Sequence, residues 1–318
     1  MTKSVVFLGP TKISGIGQVT RKWANVCDGD FVELGYPLDK QYDVGVAFVI
    51  PLDGIFSLMK QYEQKCTRMI YYTICETDPV NESYRKILEL SDTIYTSSEF
   101  CADVFKKQFG GDWRVIKLYA FPKMVSFTRS LWTIHESLKD KYVFYHIGNI
   151  IDKRKNMNML IDTFVKLGEN VALVLKATCR WQVSLDVPNV HIINQFLSDD
   201  QMEELHETCD CYVSCSHSEG AGMGAVEAAI RNKPVIIQEY GATKEYIQTP
   251  WLIPCTEVPV GSDDFLFKKD HTWGMPDQEV LLEYMQDVST KCVKTWDHSY
   301  TRDEMEKCKM EIKNLISV

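Results

Sequence analysis

The stretch from Cys211 to Ile237 constrains this chain most. Cys211-Tyr-Val-Ser-Cys215 alternates as a strand does, Ala225-Val-Glu-Ala-Ala-Ile230 is good helix material, and Lys233-Pro-Val-Ile-Ile237 is a second apolar strand. Neighbouring strands joined through a helix run parallel, which commits the chain to an α/β sheet with helices on its faces. Between the first strand and the helix lies Ser216-His-Ser-Glu219-Gly-Ala-Gly-Met-Gly-Ala-Val-Glu227, a glycine-rich turn with a carboxylate on either side. Free N–H groups at the helix start, backed by the positive end of the helix dipole, favour a phosphate, and glycine lets it approach the backbone. A carboxylate repels phosphate, so Glu219 and Glu227 are better suited to accept hydrogen bonds from sugar hydroxyls. A phosphate between two hydroxyl-bearing groups describes a nucleotide-sugar.

The same alternation runs through the rest of the chain. Strand signals stand near 4–8, 44–50, 68–74, 93–97, 114–119, 142–147, 171–176, 190–193, 211–215 and 234–238, with helical segments between most of them. At 318 residues the chain is long enough for two domains. The boundary is expected near 125–141, after Phe121-Pro122 and before the new strand at Tyr142, giving domains of 1–138 and 139–296. Residues 297–318 read as a charged amphipathic helix with Met305, Cys308, Ile312 and Ile316 at helical spacing.

Glu219-Gly220-Ala-Gly222-Met-Gly-Ala-Val-Glu227-Ala228 followed by the Pro-Val-Ile strand resembles the donor site of retaining GT-B glycosyltransferases, the glycogen-synthase-like and family-4 group. A second match stands near the start of the same half. Strand Tyr142-Val-Phe-Tyr-His-Ile147 leads through Gly148-Asn-Ile-Ile-Asp-Lys-Arg154-Lys155-Asn156 into the amphipathic run Met157 to Leu167. The resemblance implies two Rossmann-like domains with parallel sheets facing each other across a cleft, and a terminal helix crossing back onto the N-terminal domain. It implies transfer of a sugar from a nucleoside-diphosphate donor with retention of anomeric configuration, without a metal or other cofactor. Carried over by motif, Glu227 binds the ribose hydroxyls and Glu219 the transferred sugar. Gly222, Met223 and Gly224 offer backbone N–H groups to the diphosphate or sugar, and Arg154 with Lys155 stabilises the departing diphosphate, where charge builds as the bond breaks. Asn149 departs from the pattern, since many relatives carry an arginine after that glycine.

The N-terminus adds strand Ser4-Val-Val-Phe-Leu8 and the loop Gly9-Pro-Thr-Lys-Ile-Ser-Gly15-Ile-Gly17 before a helix. By itself this fits a dinucleotide-binding fold as well, and a nucleotide-binding oxidoreductase is the alternative it supports. Against that, Thr20 occupies the slot of the third glycine, and Glu33 falls early for the ribose acid. A catalytically silent scaffold is the other alternative. In the resembled family Gly15 and Gly17 approach the donor phosphates or the acceptor. Tyr71-Tyr-Thr-Ile-Cys-Glu76-Thr-Asp78-Pro places Glu76 and Asp78 after a strand, where open α/β sheets carry their chemistry. Glu76 is a candidate to orient or deprotonate the acceptor, or simply to cap the helix starting near Asn81.

Composition excludes several classes. No apolar run approaches a membrane span, and Met1-Thr-Lys-Ser before a short strand is no signal peptide, so a cytoplasmic protein is expected. Eleven cysteines, odd in number and irregular in spacing, read as reduced thiols. Cys209-Asp-Cys211 with Cys215 and His217 lacks structural-zinc spacing, and Asp28-Gly-Asp30 reads as a turn, not a metal-binding DxD. Residues 1–138 hold 16 Lys/Arg and 16 Asp/Glu, whereas 139–318 hold 19 and 28, so an acidic acceptor would be steered toward the N-terminal half. Bases and aromatics mix there at Lys106, Lys107, Phe109, Trp113, Arg114, Lys117 and Tyr119. This leaves peripheral membrane contact open, although solvated decoration is the plainer reading. The acceptor stays open among a glycan, a lipid-linked sugar, a protein, a metabolite and a modified DNA base.

Overall fold

Ser4 to Gly9 is apolar except at its ends, and in the computed structural model Val5–Gly9 forms the fully buried strand β1. The structure describes residues 3–11, 14–122, 135–179, 181–264 and 266–317. The chain divides into two units, Met1–Phe121 with Pro259–Thr272 and Asp303–Val318, and Pro122–Val258 with Trp273–Arg302.

In the first unit β1 is followed by α1 (Gly15–Val26), β2 (Asp30–Glu33), β3 (Tyr42–Phe48), α2 (Ile55–Glu63), β4 (Cys66–Thr73), β5 (Thr93–Thr96), α3 (Glu99–Phe109) and β6 (Asp112–Val115). The six strands form one parallel sheet in the order β2-β1-β3-β4-β5-β6. β6 begins and ends earlier than the apolar run at 114–119 suggests, because Trp113, and not Arg114, is the residue that packs on Phe105. Trp23 of α1 is fully buried against Phe48 and Tyr72, and its indole N–H donates to the Tyr119 carbonyl at 2.9 Å. Trp113 and Tyr119 are core residues, Lys107 pairs with Asp78, Arg114 with Asp112, and Lys117 with Glu304.

The second unit opens with the short helix α4 (His135–Leu138). It continues through β7 (Tyr142–Gly148), α5 (Met157–Phe164), β8 (Val171–Ala177), β9 (Val190–Ile193), α6 (Asp199–Thr208), β10 (Cys211–Val213), α7 (Met223–Ile230), β11 (Val235–Gln238), α8 (Thr243–Tyr246) and β12 (Leu252–Ile253). Its parallel sheet has the order β12-β11-β10-β7-β8-β9. β8 reads Val-Ala-Leu-Val-Leu-Lys-Ala and is buried at every position, as a parallel strand covered on both faces must be. Strands β13 (Cys255–Pro259) and β14 (Thr272–Pro276) pair as a separate ribbon, after which Asp277 caps α9 (Gln278–Thr290). Neither ribbon strand is legible as such in the sequence, because each carries a proline and no sustained alternation. The last helix, α10 (Ser299–Ser317), buries Cys308, Ile312 and Ile316, and its residues from Asp303 onward belong to the first unit. Cys308 donates to the Lys117 carbonyl.

Candidate functional site

Strand β10 ends at Val213, and the residues 214–222 turn before α7 begins with Gly222 as its N-cap, at φ 73°. A Cβ on Gly222 would stand 2.5 Å from Thr243 Cγ2, and one on Gly224 would stand 2.5 Å from the Tyr212 hydroxyl. Both glycines are therefore required by packing, and Gly222 by its backbone as well. No side chain caps α7, so its first N–H groups are left to another acceptor.

Strand β7 runs in parallel beside β10 and delivers the basic pair. Asp152 caps a 3₁₀ turn, Lys153–Lys155, by accepting from Arg154 N at 2.9 Å, and Asn156 follows at φ 52°. The His217 N–H donates to the Arg154 carbonyl at 2.7 Å, tying this turn to the glycine-rich one. Glu219 lies between the two cations: its Oε2 is 2.9 Å from an Arg154 guanidinium nitrogen and its Oε1 2.5 Å from Lys155 Nζ. Arg154 also donates to the Ser218 carbonyl at 2.6 Å. Burial by itself would raise the Glu219 carboxyl, but Arg154 and Lys155 outweigh it and hold the group well below the usual carboxylate range.

Glu227 sits one turn into α7, half-buried. His206 Nε2 of α6 approaches its Oε2 at 3.7 Å, and the other ring nitrogen of His206 meets the Tyr145 hydroxyl at 2.7 Å. Burial pushes His206 down to about 4, so the ring is neutral, and an Nε2–H turned toward Glu227 leaves Nδ1 to accept from Tyr145. Below Glu227 on α6 and α7, Arg231 and Glu203 form a buried ion pair that locks the two helices together. A small cleft of about 20 Å³ is lined by Ile147, Lys155, Tyr212, Glu219, Met223 and Gly224 among others.

Around this cleft several buried polar atoms have no partner among the described residues: His146 Nε2, Asn149 Oδ1, Ser218 Oγ, and both side-chain atoms of Gln238. A buried polar atom without a partner is costly, and a cluster of them marks a place where a polar ligand supplies the partners. His146, Ser218 and Gln238 are not marked as site residues by any of the motifs quoted from the sequence. A signal was present, since His146 and Gln238 are polar residues near the C-terminal end of otherwise apolar strands. His217, which stacks on Trp273 at 4.4 Å and meets the Gly274 carbonyl at 2.8 Å, is a fold-holding group. Cys209, Cys211 and Cys215 are buried, with burial pushing their thiols up, and no group of three metal-ligating side chains stands together among the described residues.

The first unit carries the remaining sequence candidates. Ser14 caps α1 by accepting from Gly17 N at 3.0 Å. A Cβ on Gly17 would stand 2.1 Å from the Thr11 carbonyl oxygen, whereas Gly15 has open space around it. Gly9, not residue 20, gives the close approach of helix to strand: a Cβ there would meet Thr20 Oγ1 at 2.6 Å. Glu33 closes β2, which is the position of the ribose acid in a dinucleotide fold, so its distance along the chain is no argument against that reading. Asp28, at φ 52°, is in a turn, and Asp30 pairs with Lys40 and Tyr42. Glu76 lies half-buried in the loop after β4, between the buried Cys75 and Thr77. It does not serve as the cap of the following 3₁₀ helix, because Asn81 does, accepting from Ser83 N at 3.0 Å. Asp78 pairs with Lys107 at 2.9 Å, and its backbone exchanges hydrogen bonds with Thr272.

Two parallel six-stranded sheets with these loops define the GT-B fold, and residues 132–250 match the family of glycosyl transferases group 1. No curated protein matches the chain at the level of sequence. Among solved structures, HepE of Anabaena in complex with UDP-glucose aligns at a TM-score of 0.70 and 14% identity, covering 99% of this chain and 98% of that one. The sucrose-phosphate synthase of Thermosynechococcus elongatus aligns at 0.58 and 14% identity, over 86% of this chain and 73% of the other. The pneumococcal O-GlcNAc transferase GtfA, in complex with UDP and GlcNAc, aligns at 0.57 and 10% identity, over 95% and 60%. Among the described residues no helix is long and apolar enough to cross a membrane.

Proposed function

We propose that this chain is a glycosyltransferase that moves a hexosyl or pentosyl group from a nucleoside-diphosphate donor to an acceptor with retention of anomeric configuration. The observation that carries the reading is the Glu219 carboxylate held between Arg154 and Lys155 beside the uncapped start of α7. In the free protein Asp152 stands 3.7 Å from Arg154, and the Glu219 carboxylate pairs with both cations. An arriving diphosphate competes for them, and Glu219 is released to accept hydrogen bonds from sugar hydroxyls. As the sugar–oxygen bond breaks, negative charge grows on the diphosphate, where Arg154, Lys155 and the α7 N–H groups are already aimed. Glu227, steadied by His206, accepts from the ribose hydroxyls. The departing phosphate oxygen takes the acceptor's proton on the same face of the sugar, which retains the configuration and needs no base from the acceptor side. Glu76 then orients the acceptor. Positive charge and a helix terminus do the work that a divalent ion does elsewhere, so no metal is required.

The test is a panel of nucleotide-sugars scored for slow hydrolysis, followed by transfer in the presence of chelator. An α-linked donor should yield an α-linked product with chelator present. Metal dependence, or an inverted anomeric proton coupling by NMR, overturns the mechanism and moves attention to Asp28 and Asp30, or to Glu76 and Asp78 as general base. The oxidoreductase alternative rests on Gly15, Gly17 and the position of Glu33, and an absorbance change with a reduced nicotinamide would reveal it.

A further inference from the structure

His146, near the end of β7, is 1% exposed and neutral, because burial, with the Lys155 charge beside it, pushes the ring down to about 4. Its Nδ1 meets the Val213 carbonyl at 2.9 Å. A carbonyl only accepts, so the proton is on Nδ1 and Nε2 carries a bare lone pair. That lone pair is buried and has no donor among the described residues. Tyr212 of β10 packs on the ring at 5.7 Å between centroids, which with the Val213 bond fixes where Nε2 points.

A matching surplus of donors is found on Lys155. Its side chain is 12% exposed, and among the described residues its ammonium has Glu219 as partner, at 2.5 Å, with further N–H groups in reserve. Gly148 is where the two residues meet. A Cβ there would stand 2.9 Å from His146 Nε2 and 3.4 Å from Lys155 Cε, so the bare nitrogen and the lysine stem border one gap, which the glycine leaves open. A diphosphate does not repair the histidine, since its oxygens offer no proton and would set acceptor against acceptor. The donor that Nε2 lacks is an N–H of the ammonium.

We propose that His146 is a positioning residue for Lys155: once a diphosphate has drawn the ammonium off Glu219, His146 Nε2 accepts one of its N–H groups and holds it on the leaving group. The use of an imidazole has a physical reason. A second carboxylate in that place would cancel the positive charge that the departing diphosphate needs, whereas a neutral acceptor aims the ammonium and leaves its charge whole. The proposal rests on the donor reading given above and adds to it the group that takes over from Glu219.

Calorimetry of the whole chain with UDP, GDP, ADP and CDP selects the nucleotide, and slow hydrolysis of the matching nucleotide-sugar gives kcat and KM. Two substitutions then separate positioning from packing. Glutamine carries an acceptor to the place of Nε2 and gives up the Val213 bond; asparagine keeps the Val213 bond and leaves the gap without an acceptor. His146→Asn should lower kcat about ten- to a hundredfold, the worth of a hydrogen bond to a charged group, with a smaller change in the donor KM. His146→Gln should recover most of that loss. Asparagine equal to or better than glutamine overturns the proposal, because a ring that only braced β7 against β10 would favour the variant that keeps the Val213 bond. Nitrogen NMR of the unaltered, histidine-labelled protein reads the contact without any substitution. In the free protein Nε2 of His146 should resonate as a bare acceptor, and the bare diphosphate should shift it as a nitrogen that has gained a hydrogen bond. No shift overturns the proposal, and so does a shift that needs the complete nucleotide-sugar, which would put a sugar hydroxyl on Nε2. Failure to bind any of the four nucleotides would sink the donor reading itself.

Discussion

Lys155 Nζ lies 2.5 Å from Glu219 Oε1, so the carboxylate of the glycine-rich turn and a cation from the neighbouring strand's loop hold each other. With Arg154 on the other oxygen and Asp152 3.7 Å from Arg154, four charges share one cluster. Glu219→Gln leaves Lys155 without its counter-charge and Arg154 with Asp152 alone, and stability should fall by about 3 kcal/mol, read from urea unfolding. The same change removes the group that competes with phosphate. Affinity for a bare nucleoside diphosphate should therefore rise while turnover falls, and weaker binding of the diphosphate would contradict the competition.

Lys155→Ala should lower kcat more than it raises the apparent donor KM, since the interaction strengthens as charge develops on the leaving group. A loss of about 100-fold in kcat is the scale expected for one such contact. A change confined to KM would mean that Lys155 serves ground-state binding only.

For Glu227→Ala the expected loss is about 1.5–3 kcal/mol of affinity for nucleotide-sugar and bare diphosphate alike, the worth of a hydrogen bond to a charged group. Calorimetry with the bare diphosphate is the decisive measurement, because it contains ribose but no transferred sugar. Undiminished binding there would remove Glu227 from the ribose.

Gly15 and Gly17 separate cleanly. A methyl on Gly17 would run into the Thr11 carbonyl, whereas one on Gly15 meets open space. Gly17→Ala should cost about 1–3 kcal/mol through forced backbone shifts. Gly15→Ala should leave the melting temperature unchanged or slightly raised, as a helix gains by exchanging glycine for alanine. Equal melting temperatures for the two variants would contradict the geometry.

Stability should also depend on pH below neutrality. Burial pushes both His146 and His206 down to about 4, against about 6.5 in an unfolded chain. The unfolded state thus binds more protons between those values, and stability is fully present above about 6.5 and lost as pH falls toward 4. Linkage puts the loss between pH 7 and pH 5 at about 2 kcal/mol for each ring. Urea unfolding at the two pH values checks this, and a flat profile would show that the rings are not buried neutral.

The α/β class, the strand-turn-helix around Glu219 and Glu227, and the loop carrying Arg154 and Lys155 are legible in the chain's residues alone. These are local: apolar runs of strand length, a glycine turn and a helix start are written in consecutive residues. The ribbon of β13 and β14 was not legible, because each strand is held by its partner and not by its own pattern. Nor could the sequence show that Glu219 pairs with both cations, since residues 154 and 219 are brought together only by the parallel pairing of β7 and β10. The same holds for Gly9, whose contact with Thr20 replaces the third glycine of a dinucleotide loop, and for Lys176, whose burial follows from its neighbours on β7 and β9. Which polar residues are buried without partners is a property of long-range packing, and it was decided by the tertiary structure alone.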